Sequence, residues 1–172
     1  TVDPTNPFTR AIKDITRKGS KKMTDDDYLR RDRLEWEASL YWSDELGPVI
    51  PALNVERCLK AGAAKQRRGK DIECAILCDA ESYKLNYPGP RTKDKLWADG
   101  SFAFRACVVI QKSRLIRVRP IFPVGWWIEF TLDYDESVVS EETIKKAAED
   151  AGLLIGIGDC RPRHGRFSVE ML

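Results

Sequence analysis

Leu115-Ile116-Arg117-Val118-Arg119-Pro120-Ile121-Phe122-Pro123-Val124-Gly125-Trp126-Trp127-Ile128-Glu129-Phe130-Thr131-Leu132-Asp133-Tyr134 holds the pattern that decides the fold class. From 115 to 122 the residues are β-prone and alternate, with Ile116 and Val118 on one face and Arg117 and Arg119 on the other. Pro123-Val124-Gly125 turns the chain. From 126 to 134 the alternation resumes, with Trp127, Glu129, Thr131 and Asp133 opposite Ile128, Phe130 and Leu132. Upstream, 102–111 is apolar and reads as a further strand. Downstream, Ser140 caps a helix running through Ala151, with Glu141 and Glu142 suited to its positive end and Gly152 stopping it. A closing strand is expected over 167–172, so the C-terminal half reads β-β-β-α-β.

The N-terminal half is more helical. Residues 1–22 are polar and basic, with a short helix around 7–16 that Gly19-Ser20 breaks. Thr24 with Asp27 resembles a capping box, opening a helix to about Tyr41 that carries Tyr28, Leu29, Trp36 and Leu40. Val49-Ile50-Pro51 is a short extended piece, and Asn54 is expected to cap a helix over 55–66. Residues 74–78 read as a short strand, and 83–100, rich in Pro, Gly and charge, as a long loop. The chain is therefore expected to be one α+β domain over 1–172, with a helical segment at 1–46 and the main core at 47–172.

Composition narrows the function classes. Of the 172 residues, 42% are hydrophobic and 33% charged, values of an ordinary globular chain, and no apolar run reaches membrane-spanning length. Thr1-Val2-Asp3-Pro4 has neither a basic n-region nor an apolar h-region, so no signal peptide is expected there and a cytoplasmic location is. The five cysteines, Cys58, Cys74, Cys78, Cys107 and Cys160, are scattered, and the one histidine, His164, lies far from Cys74 and Cys78. Reduced, mostly buried thiols are expected, with no metal and no cofactor.

The net charge of +2 does not announce a polyanion partner, and the distribution of charge matters more. Gly156, Gly158 and Gly165 enclose Arg161, Arg163 and His164, with Arg166 just after. Glycine lets backbone N–H groups approach an anion, and guanidinium forks suit phosphate oxygens. The stretch reads equally as a phosphate-cradling loop or as a tight turn with a solvated basic tip. A second basic stretch, Lys112-Ser113-Arg114-Leu115-Ile116-Arg117-Val118-Arg119, offers Arg114, Arg117 and Arg119 on a binding face, or guards an edge strand by charge. A third gathers Arg57, Lys60, Lys65, Arg67, Arg68 and Lys70 with almost no acids, either a binding surface or a solvated face at a helix end. Trp97, in the expected loop, is a base-stacking candidate, whereas Trp36 is expected in the core. Catalytic signatures are absent: no nucleophile elbow, phosphate-loop lysine or paired-histidine motif occurs, and His164 is the one weak catalytic candidate. Asp133 and Asp135 read as a turn or as a metal-ion pair.

Two separated segments carry a family resemblance. Pro48-Val49-Ile50-Pro51-Ala52-Leu53-Asn54-Val55-Glu56-Arg57-Cys58-Leu59-Lys60 resembles the approach to the first helix of RAMP-superfamily proteins, the backbone subunits of CRISPR effector complexes. Residues 156–167 resemble the glycine-rich loop of that family. The resemblance implies a ferredoxin-like, RNA-recognition-motif-like antiparallel sheet with helices on one face, and binding of single-stranded RNA. The overall pattern is also similar to small proteins of tailed phages and prophages, which implies a bacterial host cytoplasm.

The reading is a non-catalytic binder of nucleic-acid backbone, RNA or single-stranded DNA, without a membrane partner. The alternatives are a protein-docking or self-associating subunit of a larger assembly, and a metal-independent ribonuclease using His164.

Overall fold

The computed structural model describes residues 3–110 and 113–172. Gln111, expected to end a strand, and Lys112, of the second basic stretch, lie outside the described residues. Helix α1, Pro7–Thr16, starts where the Asn6 side chain accepts from the Phe8 and Thr9 N–H groups. Helix α2, Asp25–Ser39, starts at the reciprocal capping box of Thr24 and Asp27. Strands β1, Trp42–Ser43, and β2, Gly47–Pro51, precede helix α3, Ala52–Ala63. A 3-10 turn, Ala64–Gln66, leads to helix α4, Gly69–Ala75. Strands β3, Ile76–Cys78, and β4, Ser82–Lys84, helix α5, Lys93–Asp99, and strands β5, Ala103–Ile110, and β6, Ser113–Pro120, follow. Strand β7, Leu132–Tyr134, and helix α6, Glu141–Asp150, which runs into a π turn at Ala151–Ile155, complete the order. The protein is α+β, with six α-helices and small antiparallel sheets among the described residues. No helix among the described residues is long and apolar enough to cross a membrane.

The chain forms two compact units. The first takes in Thr1–Pro48 and Asn86–Trp127. Here β5 and β6 pair antiparallel from Ala103↔Pro120 to Ile110↔Ser113, and α2 packs on β6. Trp36 is fully buried and its Nε1–H donates to the Phe102 carbonyl at 2.8 Å, so the polar end of the ring is satisfied inside the core. Leu96 and Val118 are fully buried in the same unit. Tyr87, Phe102 and Phe122 meet edge to face, with centroids 4.8–5.9 Å apart. Two buried acids of α2 are paired rather than bare: Asp32 with Arg31 and Arg105, and Glu35 with Arg117.

The second unit takes in Val49–Leu85 and Ile128–Leu172. Helix α3 packs on both α4 and α6, burying Val55, Leu59, Ala63, Ile72, Ile144 and Ala147. Each large aliphatic chain so buried contributes about 1.5–3 kcal/mol. Strand β2 pairs with β4 at Ile50↔Tyr83, and β3 pairs antiparallel with β7 at Leu77↔Asp133.

Several sequence expectations need correction. Asn54 lies inside α3 and does not cap it: Pro51 holds the cap position, and the Ala52 N–H donates to the Glu81 carbonyl at 2.9 Å. Residues 83–100 are not a bare loop, because Thr92 caps the short helix α5 through the Lys95 N–H. Residues 74–78 divide between the end of α4 and β3. Of the strand expected over 126–134, only Leu132–Tyr134 is a strand, with an isolated bridge between Trp127 and Asn86. Residues 167–172 form no strand. There the Phe167 N–H donates to the Gly152 carbonyl at 3.3 Å, which ties the segment to the π turn after α6.

Candidate nucleic-acid interface

The three basic stretches fare differently. In the first unit, Arg117 pairs with Glu35, which is 5% exposed, and Glu35 also accepts the Val118 N–H at 3.4 Å. Arg119 donates to Ser39 Oγ at 3.1 Å. Both guanidinium groups therefore hold β6 to α2. Arg114 is exposed, farther along the strand.

The glycine-rich stretch lies in the second unit. Its closure is backbone-made: the Ile157 N–H donates to the Gly165 carbonyl at 2.8 Å, and the His164 N–H to the Cys160 carbonyl at 3.1 Å. Gly165 has φ +76°, and a Cβ there would stand 1.8 Å from the Ile157 oxygen, so no other residue fits. Gly156 and Gly158 also take positive φ. Cys58 of α3 donates its Sγ–H to the Gly156 carbonyl at 3.3 Å, fixing where the loop begins. Burial pushes that thiol up to about 11, offset in part by the positive charge of Arg161. Arg161, Arg163 and Arg166 are exposed, Arg166 donating from Nε to the Pro162 carbonyl at 3.0 Å, and His164 is half-buried.

The third stretch, also in the second unit, lines a shallow, open depression. An open cleft of about 410 Å³ lies along α3 and the start of α4. It is lined by the charged Arg57, Lys60, Arg67 and Lys70 and by the small Ala61, Ala64 and Gly69. Gly69 lets α4 start close against α3, since a Cβ there would stand 3.1 Å from the Lys60 carbonyl and 3.2 Å from the Ala64 Cβ. Lys60 pairs with Glu73 at 2.5 Å. Arg57, Arg67 and Lys70 are exposed.

Arg67 and Arg68 are neighbours with opposite roles. Arg67 closes the 3-10 turn with φ 62° and ψ 19°, the left-handed region that glycine or asparagine usually occupies. A side chain there costs about 1 kcal/mol of backbone strain. Arg68 is engaged on three sides: Nε donates to Asp71 at 2.9 Å, Nη1 to Thr143 at 3.1 Å and Nη2 to the Val138 carbonyl at 2.9 Å.

The structure sharpens some of the sequence readings and corrects one. Arg57 and Lys70 belong with Lys60 and Arg67, because they line the same cleft. The charge run over 57–70 was the signal for them in the sequence. Trp97 is not a loop residue: it packs against Trp36 at 5.7 Å, with Arg105 over its ring at 5.8 Å. Asp135 accepts from the Ser137 N–H and hydroxyl, as a turn residue does, and no group of three or more metal-ligating side chains occurs among the described residues.

No family model, no curated protein and no solved structure matches this chain. The functional reading therefore stands on its residues.

Proposed function

We propose that this protein binds the sugar-phosphate backbone of nucleic acid, without catalysis, and that the cleft along α3 and α4 is the principal contact. The observation that carries the reading is the lining. Arg57, Arg67 and Lys70 line one shallow depression, and none of the lining residues is acidic. Exposed cations around an open cleft attract phosphates and release their counterions, and that release supplies most of the free energy of sequence-independent binding. The strained backbone at Arg67 supports the same reading, since a guanidinium is kept where glycine is easier. The exposed Arg161 and Arg163 of the glycine-rich loop add further cationic surface in the same unit.

The ferredoxin-like and RAMP-like readings belong to this proposal. What supports them is α3 packed on α6 and β3 antiparallel to β7; the full order in the second unit is β2, α3, α4, β3, β4, β7, α6, with β2 paired to β4 in a separate sheet.

The test is fluorescence anisotropy with labelled mixed-sequence RNA and DNA at low salt. The double variant Arg57→Ala, Lys70→Ala is expected to lose about tenfold or more in affinity while keeping its fold by circular dichroism. Unchanged affinity in a folded double variant removes the cleft from the account.

A further inference from the structure

We infer that the outer edge of β5, in the first unit, is a self-association surface, on which β5 of a second copy of this chain pairs antiparallel to make a four-stranded sheet. The phase of the β5–β6 ladder shows which backbone groups face that edge. Arg105 stands opposite Val118, and Ala103 opposite Pro120. The Val118 N–H donates to Glu35 of α2 at 3.4 Å, proline has no N–H, and the Ala103 N–H donates to the Gly100 carbonyl at 3.2 Å. These pairs are therefore the ones that exchange no bonds between β5 and β6. By the same alternation Arg105, Cys107 and Val109 turn their N–H and C=O groups away from β6, and no further strand among the described residues pairs with β5 there.

The two edges of the ribbon are built differently. On the β6 side Glu35 takes the Val118 N–H, Arg117 pairs with Glu35, and Pro120 ends the strand. On the β5 side the eight residues Ala103-Phe104-Arg105-Ala106-Cys107-Val108-Val109-Ile110 hold no proline, no glycine and no acid. Their one charge, Arg105, pairs with Asp32 of α2 at 3.4 Å within the chain. Strand edges that stay unpaired in solution carry charge, proline or a bulge, and a long β-prone edge without them is a template for another strand. A two-stranded ribbon also gains more than a wide sheet does from an added strand.

The strand is complementary to itself. A twofold axis at Cys107 sets Cys107 opposite Cys107 and Arg105 opposite position 109 of the second copy, so the two arginines stay apart. An axis at Arg105 would set them face to face. With the axis at Cys107, the outward groups of 105, 107 and 109 exchange about six main-chain hydrogen bonds. Cys107 and its cross-strand neighbour Ile116 are both exposed, Ile116 at 57%. Across the axis they continue into their own copies as one apolar row over four strands.

The experiment is light scattering and sedimentation of the full chain at about 1–100 μM, nuclease-treated and at high salt so that nucleic acid bridges no copies. The wild type is expected to reach twice the chain mass within that range. Cys107→Lys and Cys107→Asp each set like charges opposite one another and are expected to weaken the dimer about tenfold or more. An equimolar mixture of the two is expected to restore it as a heterodimer, which unfolded variants could not do. On the wild type, a short bismaleimide is expected to join Cys107 to Cys107, identified by peptide mass spectrometry. A wild type that stays monomeric at about 100 μM overturns the inference. So does a dimer that both charged variants leave intact, or a mixture of folded variants that recovers nothing. A crosslink map without the Cys107–Cys107 link overturns it whatever the variants do.

Discussion

The Arg68 guanidinium donates to the Val138 carbonyl at 2.9 Å, and the same side chain reaches Thr143 in the first turn of α6. This arginine ties the start of α4 to the approach to α6, and its charge is spent on structure. Its neighbour Arg67, one residue earlier, sits in a left-handed conformation on the lining of the cleft.

Arg68→Ala removes three hydrogen bonds from a partly buried group. It is expected to lower stability by about 1–2 kcal/mol in urea denaturation, the range for bonds to a charged donor at a half-exposed site. Nucleic-acid affinity per folded molecule is expected to stay within about twofold of wild type.

Arg67→Gly should do the reverse. Glycine relieves the left-handed strain but gains entropy in the unfolded chain, so stability is expected to hold or rise by up to about 1 kcal/mol. Affinity is expected to fall several-fold in the anisotropy titration. A variant both less stable and unaltered in binding would show that Arg67 is a structural cap.

Arg117→Ala strips the partner from Glu35, which is 5% exposed. Leaving that carboxylate unpaired inside the first unit is expected to cost on the order of 3 kcal/mol, measured by denaturation. Glu35→Gln combined with Arg117→Ala is expected to recover part of the loss, because the buried charge goes with its partner.

Thiol labelling tests burial directly. Cys74 and Cys107 are exposed, whereas Cys58 is 1% exposed and its thiol is pushed up to about 11 by burial. At pH 8 iodoacetamide is expected to modify Cys74 and Cys107 first and Cys58 last, followed by peptide mass spectrometry. The raised value means folded Cys58 stays protonated, so its contribution to stability is complete below the ordinary thiol range and declines as the pH rises towards 11.

Two of the helix caps were legible in the chain. Thr24 with Asp27, and Ser140 with Thr143, form as their side-chain chemistry dictates. The β5–β6 pair was legible from alternation and β-branched content. Helix α5 was not, because its seven residues follow a Pro- and Gly-rich run that reads as loop, and so short a helix does not show periodicity. The strand expected at 167–172 did not form; the Phe167 N–H bonds the Gly152 carbonyl, a tertiary contact that alternation does not reveal. At the candidate site, the cationic run from Arg57 to Lys70 was visible as charge, but the depression it lines was not. Arg67 and Arg68 are chemically identical neighbours, and only the backbone turn between α3 and α4 sends one to the cleft and the other into the packing against α6.

The most direct test of the central claim is the salt dependence of duplex binding, compared between wild type and Lys70→Ala. With Arg57, Arg67 and Lys70 each neutralising one phosphate, the slope of log affinity against log salt is expected to be about −2.7, and Lys70→Ala is expected to lessen it by about 0.9. A slope near zero, or one that Lys70→Ala leaves unchanged, contradicts the account.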